Sequence, residues 1–344
     1  MGARTVWILT HSRLGDLQQM EKLAAALGWP FLVKRLVFRS PNVPFLAGLL
    51  LERGASDSLD APWPDLILCG EARTSVIALD LKRRSGGRIK IVCLGRPAGD
   101  AAQFDLVLTT AQYRLPKAVN VVELALPLVA EAPALANDGM LDVARPVTTV
   151  LVGGTAVPER LDDAAASSLA RDVLARQHGT GGTLLVVTSP RTGAEAGAAL
   201  AQAIPPPHVV HLWRKGEDNP YRRFLAIADE VVVTSDSVSM VADALAAGKP
   251  VSVYRLPRRA TAKDAAVEWL FARVYGETPC PFWLKPAKWL FDVGLIEVRA
   301  DRPRLFDRLI REGRVGWFGA ARVGTRFAAS DELDAILPRI KALF

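Results

Sequence analysis

Short, largely apolar runs recur along this chain, and most give way to a turn of small or polar residues and then to a stretch with helical periodicity. A run that is apolar at every position must be covered on both faces, as in a parallel sheet flanked by helices. In the first half such runs lie at 5–10, 31–36, 65–69, 89–94, 105–109 and 119–122, with helical patterns at 17–27, 44–53 and 75–84. In the second half they lie at 147–152, 183–188, 208–212, 230–234 and 250–255, with helical patterns at 162–177, 193–202, 221–228 and 238–247. Strand and helix alternating in this way predict an α/β protein with doubly wound parallel sheets.

The pattern runs twice, and 344 residues are ample for two domains of about 100–200 residues each. The expected first Rossmann-like domain covers 1–128 and the second 145–325, joined by an Ala- and Pro-rich linker over 127–146. Residues 263–322 are less regular and carry Trp269, Phe271, Phe282, Trp283, Trp289 and Trp317, read here as a core that ties the tail onto the domains. The last segment reads as an amphipathic helix with Ser330 as N-cap and Asp331 and Glu332 in its first turn. That helix, 330–344, is expected to complete the first domain.

The net charge is +7, which suits anionic partners such as phosphorylated small molecules or lipid headgroups. The basic clusters, Lys82-Arg83-Arg84 and Arg258-Arg259, are too short for a nucleic-acid arm, so no nucleic-acid partner is expected. The three cysteines, Cys69, Cys93 and Cys280, form no CxxC or Cys/His cluster, so no metal site is expected and a reducing cytoplasm fits. The first nine residues show neither the apolar core nor the cleavage site of a secretory signal, and no window reaches the ~20 apolar residues of a membrane span. The expected location is cytoplasmic, with peripheral contact to the inner membrane left open.

Ligands of open α/β sheets sit at the carboxyl ends of the strands, so the turns after each strand are where chemistry is sought. The first turn holds His11, Gly15 and Asp16, an acid–base pair around a glycine at a helix start; Asp16 is equally suited to cap that helix. The next offers Glu71 and Arg73, with Thr74 and Ser75 suited to ligand contacts or to capping. Gly153-Gly154 after the first strand of the second domain would let a backbone approach phosphate. Ser189, Arg191 and Thr192 combine hydroxyls with a guanidinium that binds phosphate in bidentate fashion. Asn219 and Tyr221 lie in a polar run whose bland reading is a solvated loop.

The most specific segment is Thr234-Ser235-Asp236-Ser237-Val238-Ser239-Met240, followed by Asp243 and the Gly248-Lys249-Pro250 turn. A strand ends here in a hydroxyl-rich turn and a helix starts, so free backbone N–H groups face the turn. Ser237 and Ser239 are placed to hold a diphosphate. Asp243, one helical turn on, is placed to accept hydrogen bonds from ribose hydroxyls.

This segment resembles the donor-binding helix of GT-B glycosyltransferases, with Asp243 where that family more often has Glu. The wider chain resembles the mitochondrial fission ELM-type family of plants and bacteria. The resemblance rests on Leu9-Thr10-His11-Ser12-Arg13-Leu14-Gly15-Asp16 with Gln19, on Gly70-Glu71-Ala72-Arg73-Thr74, on Thr188-Ser189-Pro190-Arg191-Thr192, on Gly216-Glu217-Asp218-Asn219-Pro220-Tyr221, and on Val233 through Met240. His11-Ser12 departs from that family's Asp-Gly. The resemblance implies a GT-B-like fold, two Rossmann-like domains facing across a cleft, and leaves the activity open.

The leading expectation is a metal-independent glycosyltransferase of cell-envelope glycan or lipid assembly. It would need no cofactor beyond its substrate, a nucleotide-sugar, and would release a nucleoside diphosphate; the acceptor, sugar or lipid, is not specified. Glu71, Asp16 and His11 are the candidates for the base that takes the acceptor's proton. Gly15, Arg73, Gly153, Gly154, Ser189, Arg191, Thr192, Asn219, Tyr221, Thr234, Ser237, Ser239, Met240 and Asp243 are the candidates for holding the nucleotide-sugar. A non-catalytic adaptor on the same fold and a nucleotide-sugar epimerase are the alternatives.

Overall fold

The structure, a computed structural model, describes residues 4–11, 14–40, 43–70, 72–128, 143–276, 280–296, 298–320 and 329–344. It divides into two compact units, one of Met1–Ala130, Thr261–Asp301 and Ser330–Phe344, the other of Glu131–Ala260 and Arg302–Ala329. The linker reading of 127–146 falls largely outside the described residues.

The first unit is built from β1 (Val6–Thr10), α1 (Leu14–Leu27), β2 (Phe31–Arg35), α2 (Ala47–Leu50), β3 (Leu66–Cys69), α3 (Ala72–Arg84), β4 (Lys90–Leu94), β5 (Leu106–Thr110) and β6 (Val121–Leu124). The second unit begins with β7 (Val147–Leu151), α4 (Asp163–Thr180), β8 (Thr183–Val187), α5 (Ala194–Ala203) and β9 (Val209–His211). It continues through α6 (Tyr221–Ile227), β10 (Glu230–Thr234), α7 (Val238–Ala246) and β11 (Val251–Tyr254). The chain then supplies α8 (Ala262–Tyr275) and α9 (Lys285–Asp292) to the first unit, α10 (Arg302–Arg311) and β12 (Gly316–Trp317) to the second, and ends with α11 (Ala329–Lys341) in the first.

Each unit has a six-stranded sheet, ordered β2-β1-β3-β4-β5-β6 in the first and β12-β11-β10-β7-β8-β9 in the second. Every pairing of neighbouring strands is parallel. The first sheet shows why its inner strands β1, β3, β4 and β5 are apolar, whereas the edge strand β2, expected to be covered on both faces, carries Lys34 and Arg35 and is largely exposed. Val6, Ile8, Leu66, Leu68, Val92, Leu106 and Leu108 point to one face, against Met20 and Leu23 of α1. The alternate residues Trp7, Leu9, Ile67, Cys69, Ile91, Cys93 and Val107 point to the other, against Ile77, Ala78 and Leu81 of α3. In the second unit Val150, Val152, Leu184, Val186 and Val232 pack against Leu169 and Val173 of α4 and Leu200 of α5. The free thiols Cys69 and Cys93 are buried, and their mutual contact followed by burial pushes the Cys93 thiol well up.

The last helix belongs to the first unit. Ile336 and Ile340 are fully buried in the same core as Val6 and Ile8. Glu332 accepts a hydrogen bond from the Ala125 amide at 2.6 Å, and Arg339 donates to the Val119 carbonyl at 2.9 Å. Ser330 lies one residue inside the helix start, and its side chain, with that of Asp331, lies outside the described residues.

Three expectations need correction. The boundary 145–325 is interrupted, because Thr261–Asp301 groups with the first unit. Glu268 forms a two-point ion pair with Arg114, and Arg96 sits over the Phe271 ring at 5.1 Å, so α8 is pinned near the ends of β4 and β5. The helix expected over 44–53 is a 3-10 turn, Pro44–Leu46, followed by only four α-helical residues. Leu51 turns extended and bridges Phe38 instead. Four of the six aromatic residues expected to form that core do not. Phe271 is buried and Trp317 half-buried, but Trp269, Phe282, Trp283 and Trp289 are exposed, and the turn into α9 and α9 itself bury Leu284 and Phe291 instead.

Replacing Ile340 by Ala removes a fully buried side chain from the first core and is expected to lower stability by about 2–5 kcal/mol. Urea unfolding at equilibrium checks this, and a change below about 1 kcal/mol would mean that α11 is not part of the cooperative core.

Candidate functional site

A ligand of an open parallel sheet binds at the carboxyl ends of the strands where the strand order reverses, because the connections there run to opposite faces and leave a crevice. In the second unit that point lies between β7 and β10. The turn after β7 holds Gly153 and Gly154, and the turn after β10 holds Ser235, Asp236 and Ser237.

Asp236 is the centre of this region. Its side chain is wholly buried, and its carboxylate gathers donors from three loops. The Gly154 amide donates to Oδ2 at 2.9 Å, the Thr234 hydroxyl to Oδ1 at 2.7 Å and the Ser237 hydroxyl to Oδ2 at 2.9 Å. The Arg191 guanidinium pairs with Oδ2 at 2.8 Å and donates to Ser237 Oγ at 2.7 Å. A carboxylate this deep is stable only because it is paired and its lone pairs are filled. Thr234 is itself held by the Gly153 amide at 2.9 Å. Ser189 donates to the Gly153 carbonyl at 2.6 Å, and the Thr192 hydroxyl makes a close hydrogen bond to the same oxygen.

Gly153 and Gly154 are buried, and protein atoms fill the places where their Cβ atoms would stand. The Asp236 carboxylate and Ser237 hydroxyl crowd Gly153, and the Arg191 carbonyl crowds Gly154. The close approach that requires these glycines is therefore between loops, with no room left for phosphate against them.

Ser237 is the N-cap residue of α7, but its hydroxyl is engaged by Asp236 and Arg191 and caps no amide of the helix. The first-turn N–H groups of α7 thus lack a side-chain cap, with the positive end of the helix dipole beside them. Arg191, its side chain 46% exposed, stands at the same place. Ser239 is exposed in that first turn, and Met240 is half-buried. One turn along, Asp243 accepts a hydrogen bond from the Tyr221 hydroxyl at 2.9 Å. Burial raises the Asp243 carboxyl above its ordinary value, against the opposing effect of that hydrogen bond. Burial, then the Asp243 charge, pushes the Tyr221 phenol well up. Asn219 accepts from the Tyr221 amide at 3.0 Å and so sets the start of α6.

In the first unit the strand order reverses between β1 and β3. His11 follows β1, and Arg73 lies in the first turn of α3, after β3. Arg73 Nη2 is 3.1 Å from His11 Nε2. Arginine can only donate, so this contact makes Nε2 the acceptor of a neutral imidazole. Both groups lean on Phe38: the guanidinium carbon lies 4.8 Å from the ring centre and the His11 ring meets it edge-on at 5.5 Å. Asp16 sits in the first turn of α1, next to Gly70, and Gly15 is exposed beside it. Glu71, the remaining base candidate, lies outside the described residues. Thr74 and Ser75 are buried inside α3 and are not caps; Ser75 donates to the Ala72 carbonyl at 2.8 Å and accepts from the Ala98 amide at 3.0 Å.

The structure thus gathers Gly153, Gly154, Ser189, Arg191, Thr192, Thr234 and Ser237 into one network, and Asn219, Tyr221 and Asp243 into a second group on α6 and α7. Asp236, which holds the first network together, was not among the expected site residues; its signal was a lone acid between hydroxyls at a strand end. Phe38 carried no signal, since its role depends on a packing contact.

The sequence model of the mitochondrial fission ELM1 family matches residues 15–275. The chain belongs to the mitochondrial fission ELM1 family. That span contains Arg73, Arg191, Asp236 and Asp243. ELM1 of Arabidopsis thaliana, a mitochondrial fission protein, is 25% identical over 227 residues, 55% of this chain and 50% of the plant protein. The chain therefore spans about half the length of that relative. Among solved structures, a candidate UDP-N-acetylglucosamine 2-epimerase of Listeria monocytogenes is 13% identical, with a TM-score of 0.51 over 99% of this chain and 98% of that one. Staphylococcus aureus MnaA in a co-structure with UDP is 13% identical, with a TM-score of 0.48 over 98% and 97% of the two chains. The fold of this ELM1-family chain is GT-B-like, with two Rossmann-like units.

Removing the Asp236 carboxylate leaves buried donors without an acceptor. Asp236→Ala is expected to cost about 2–3 kcal/mol, roughly 4–12 °C in melting temperature. Gly154→Ala is expected to destabilise as well, whereas Gly179→Ala, in open space on α4, gains about 0.5–1 kcal/mol. Thermal melts of the three variants check this, and equal behaviour of the two glycine variants would refute the crowding argument.

Proposed function

We propose that the second unit binds a nucleoside diphosphate-sugar and that the protein is a metal-independent glycosyltransferase. The observation that carries this reading is the half-exposed Arg191 guanidinium, fixed by buried Asp236 beside an α7 terminus that has no side-chain cap. A fixed cation next to free backbone N–H groups is a receptor for a diphosphate, with nothing to reorganise on binding. Ser239, exposed in the first turn, adds a hydroxyl. Asp243, one helical turn further along α7, and Tyr221 of α6, hydrogen-bonded to it, supply a carboxylate and a phenol for the ribose. Cleavage of the sugar–phosphate bond leaves charge on the diphosphate, and the same donors stabilise it as it develops. The acceptor hydroxyl must lose a proton to a base, and His11 and Asp16 of the first unit are the described candidates. In the free protein Arg73 occupies the Nε2 lone pair of His11, so His11 serves as the base only once a bound acceptor displaces that contact. We place the protein's work in envelope glycan or lipid assembly.

Arg191 also secures Asp236, so its removal would perturb the fold; Ser239 gives the cleaner test. Ser239→Glu puts an acid where the helix dipole favours one, so the free protein should keep or slightly raise its melting point. The same acid repels a diphosphate. UDP, GDP and ADP are tested by thermal shift and calorimetry. At least one is expected to stabilise the native chain, by roughly 2.7 kcal/mol at 100 times Kd, and Ser239→Glu should weaken it about tenfold or more. No stabilisation by any of them at millimolar concentration would overturn the proposal in favour of a non-catalytic adaptor.

Asp243 makes a pH-dependent expectation. Its folded pKa is raised, so folding favours the protonated form. The stabilising contribution of this residue is present below the ordinary carboxylate pKa and is lost as the pH rises through the raised value. Asp243→Asn should therefore keep or raise apo stability at neutral pH, and should weaken nucleosides while leaving pyrophosphate affinity unchanged. Loss of both affinities together would place Asp243 outside the ribose contact.

A further inference from the structure

The first unit turns a group of large apolar side chains toward water. α8 exposes Trp269 (58%), and the turn into α9 with α9 itself exposes Phe282 (81%), Trp283 (60%) and Trp289 (56%). Phe282, Pro286 and Trp289 recur at helical spacing, opposite the buried Leu284 and Phe291. A Cβ on Gly294 would stand 3.1 Å from the Pro44 side chain, so α9 adjoins the turn that carries exposed Phe45 and the helix that carries exposed Leu49. Single exposed apolar residues need no explanation, but four large aromatic side chains exposed on two helices that pack together, and on the turn between them, mark a surface that is covered in use.

The chemistry around the patch says what covers it. The described acids of these helices are already engaged: Asp264 pairs with Arg299 at 2.7 Å, Glu268 with Arg114, and Asp292 with Lys288 at 2.6 Å. Lys263, Arg273 and Lys285 have no such acid partner among the described residues, and Arg273 lies over the Trp269 ring at 5.7 Å. Tryptophan and phenylalanine between unneutralised cations, on a chain of net charge +7, match the boundary of an anionic bilayer. There the rings enter the acyl edge and the ammonium groups meet phosphate. No described helix is long and apolar enough to cross a membrane, so the contact is interfacial.

We propose that the outer face of α8 and α9 docks on an anionic phospholipid surface, with Phe282, Trp283 and Trp289 as the inserted residues and Lys285 and Arg273 on the headgroups. The test is co-sedimentation of the full chain with vesicles of phosphatidylcholine, with and without phosphatidylglycerol, alongside tryptophan emission. Native protein should bind the anionic vesicles with a blue-shifted emission, and less at high salt. Combining Phe282→Ser, Trp283→Ser and Trp289→Ser should weaken partitioning about tenfold or more, whereas Val119→Ser, at an exposed residue elsewhere on the unit, should leave it unchanged. Lys285→Glu, which removes no apolar contact, should weaken binding to anionic vesicles severalfold and serves as the second variant if the triple one melts early. Absence of native binding, undiminished binding by Lys285→Glu, or a native dimer that the triple variant dissolves without any vesicle binding would each overturn the proposal. The last outcome would assign the patch to a second copy of the chain. Nucleotide melting shifts are read separately, so the failure of one proposal leaves the other standing.

Discussion

A single buried charge organises the second unit. Asp236 sits just past the end of β10 with its side chain wholly buried, and such a carboxylate would be costly were it not surrounded by donors. Those donors come from the turns after β7, β8 and β10, so satisfying one residue fixes the relative positions of three loops. Much else follows from that constraint. Gly153 and Gly154 lack side chains because the loops close on each other. Ser237 faces inward and leaves the first turn of α7 open. Arg191 is anchored through one nitrogen, with the rest of its fork toward solvent.

The network consumes acceptors and leaves donors. The Asp236 oxygens are filled. Part of the Arg191 guanidinium, the first-turn amides of α7 and the exposed Ser239 hydroxyl are left as donors. The Tyr221–Asp243 pair is arranged differently. Burial disfavours the Asp243 charge while the phenol hydrogen bond favours it. A carboxylate balanced in that way is responsive to a further hydroxyl donor.

The first unit uses aromatic surfaces where the second uses a carboxylate. Phe38 supports both His11 and Arg73, and the Arg73 donor dictates the proton position on His11. Near the ends of β4 and β5, Arg96 and Arg114 lie against Phe271, which binds the α8–α9 layer to the unit. Burial lowers the Arg96 pKa, yet the group stays within reach of the ring faces and of the Tyr113 carbonyl at 2.8 Å. With its inner face so occupied, α9 has only its outer face for Trp289.

The sequence by itself determined the two parallel sheets and most of their elements. Largely apolar strands admit few alternatives, and the turn residues after β1, β3, β7, β8 and β10 were legible because the end of each apolar run marks where the chain leaves the sheet. It also placed Tyr221 at the end of a polar run and Asp243 on a helix one turn after Ser239, although nothing in their spacing of 22 residues indicates that they share a hydrogen bond. Tertiary structure alone decided the rest. Asp236 became central because three loops meet over it, a long-range coincidence with no local pattern. Thr261–Asp301 joined the first unit because Glu268 meets Arg114 across 154 residues. Which aromatic residues of that segment are buried also depends on packing: periodicity gives a helix two faces, but only its neighbours decide which one is covered.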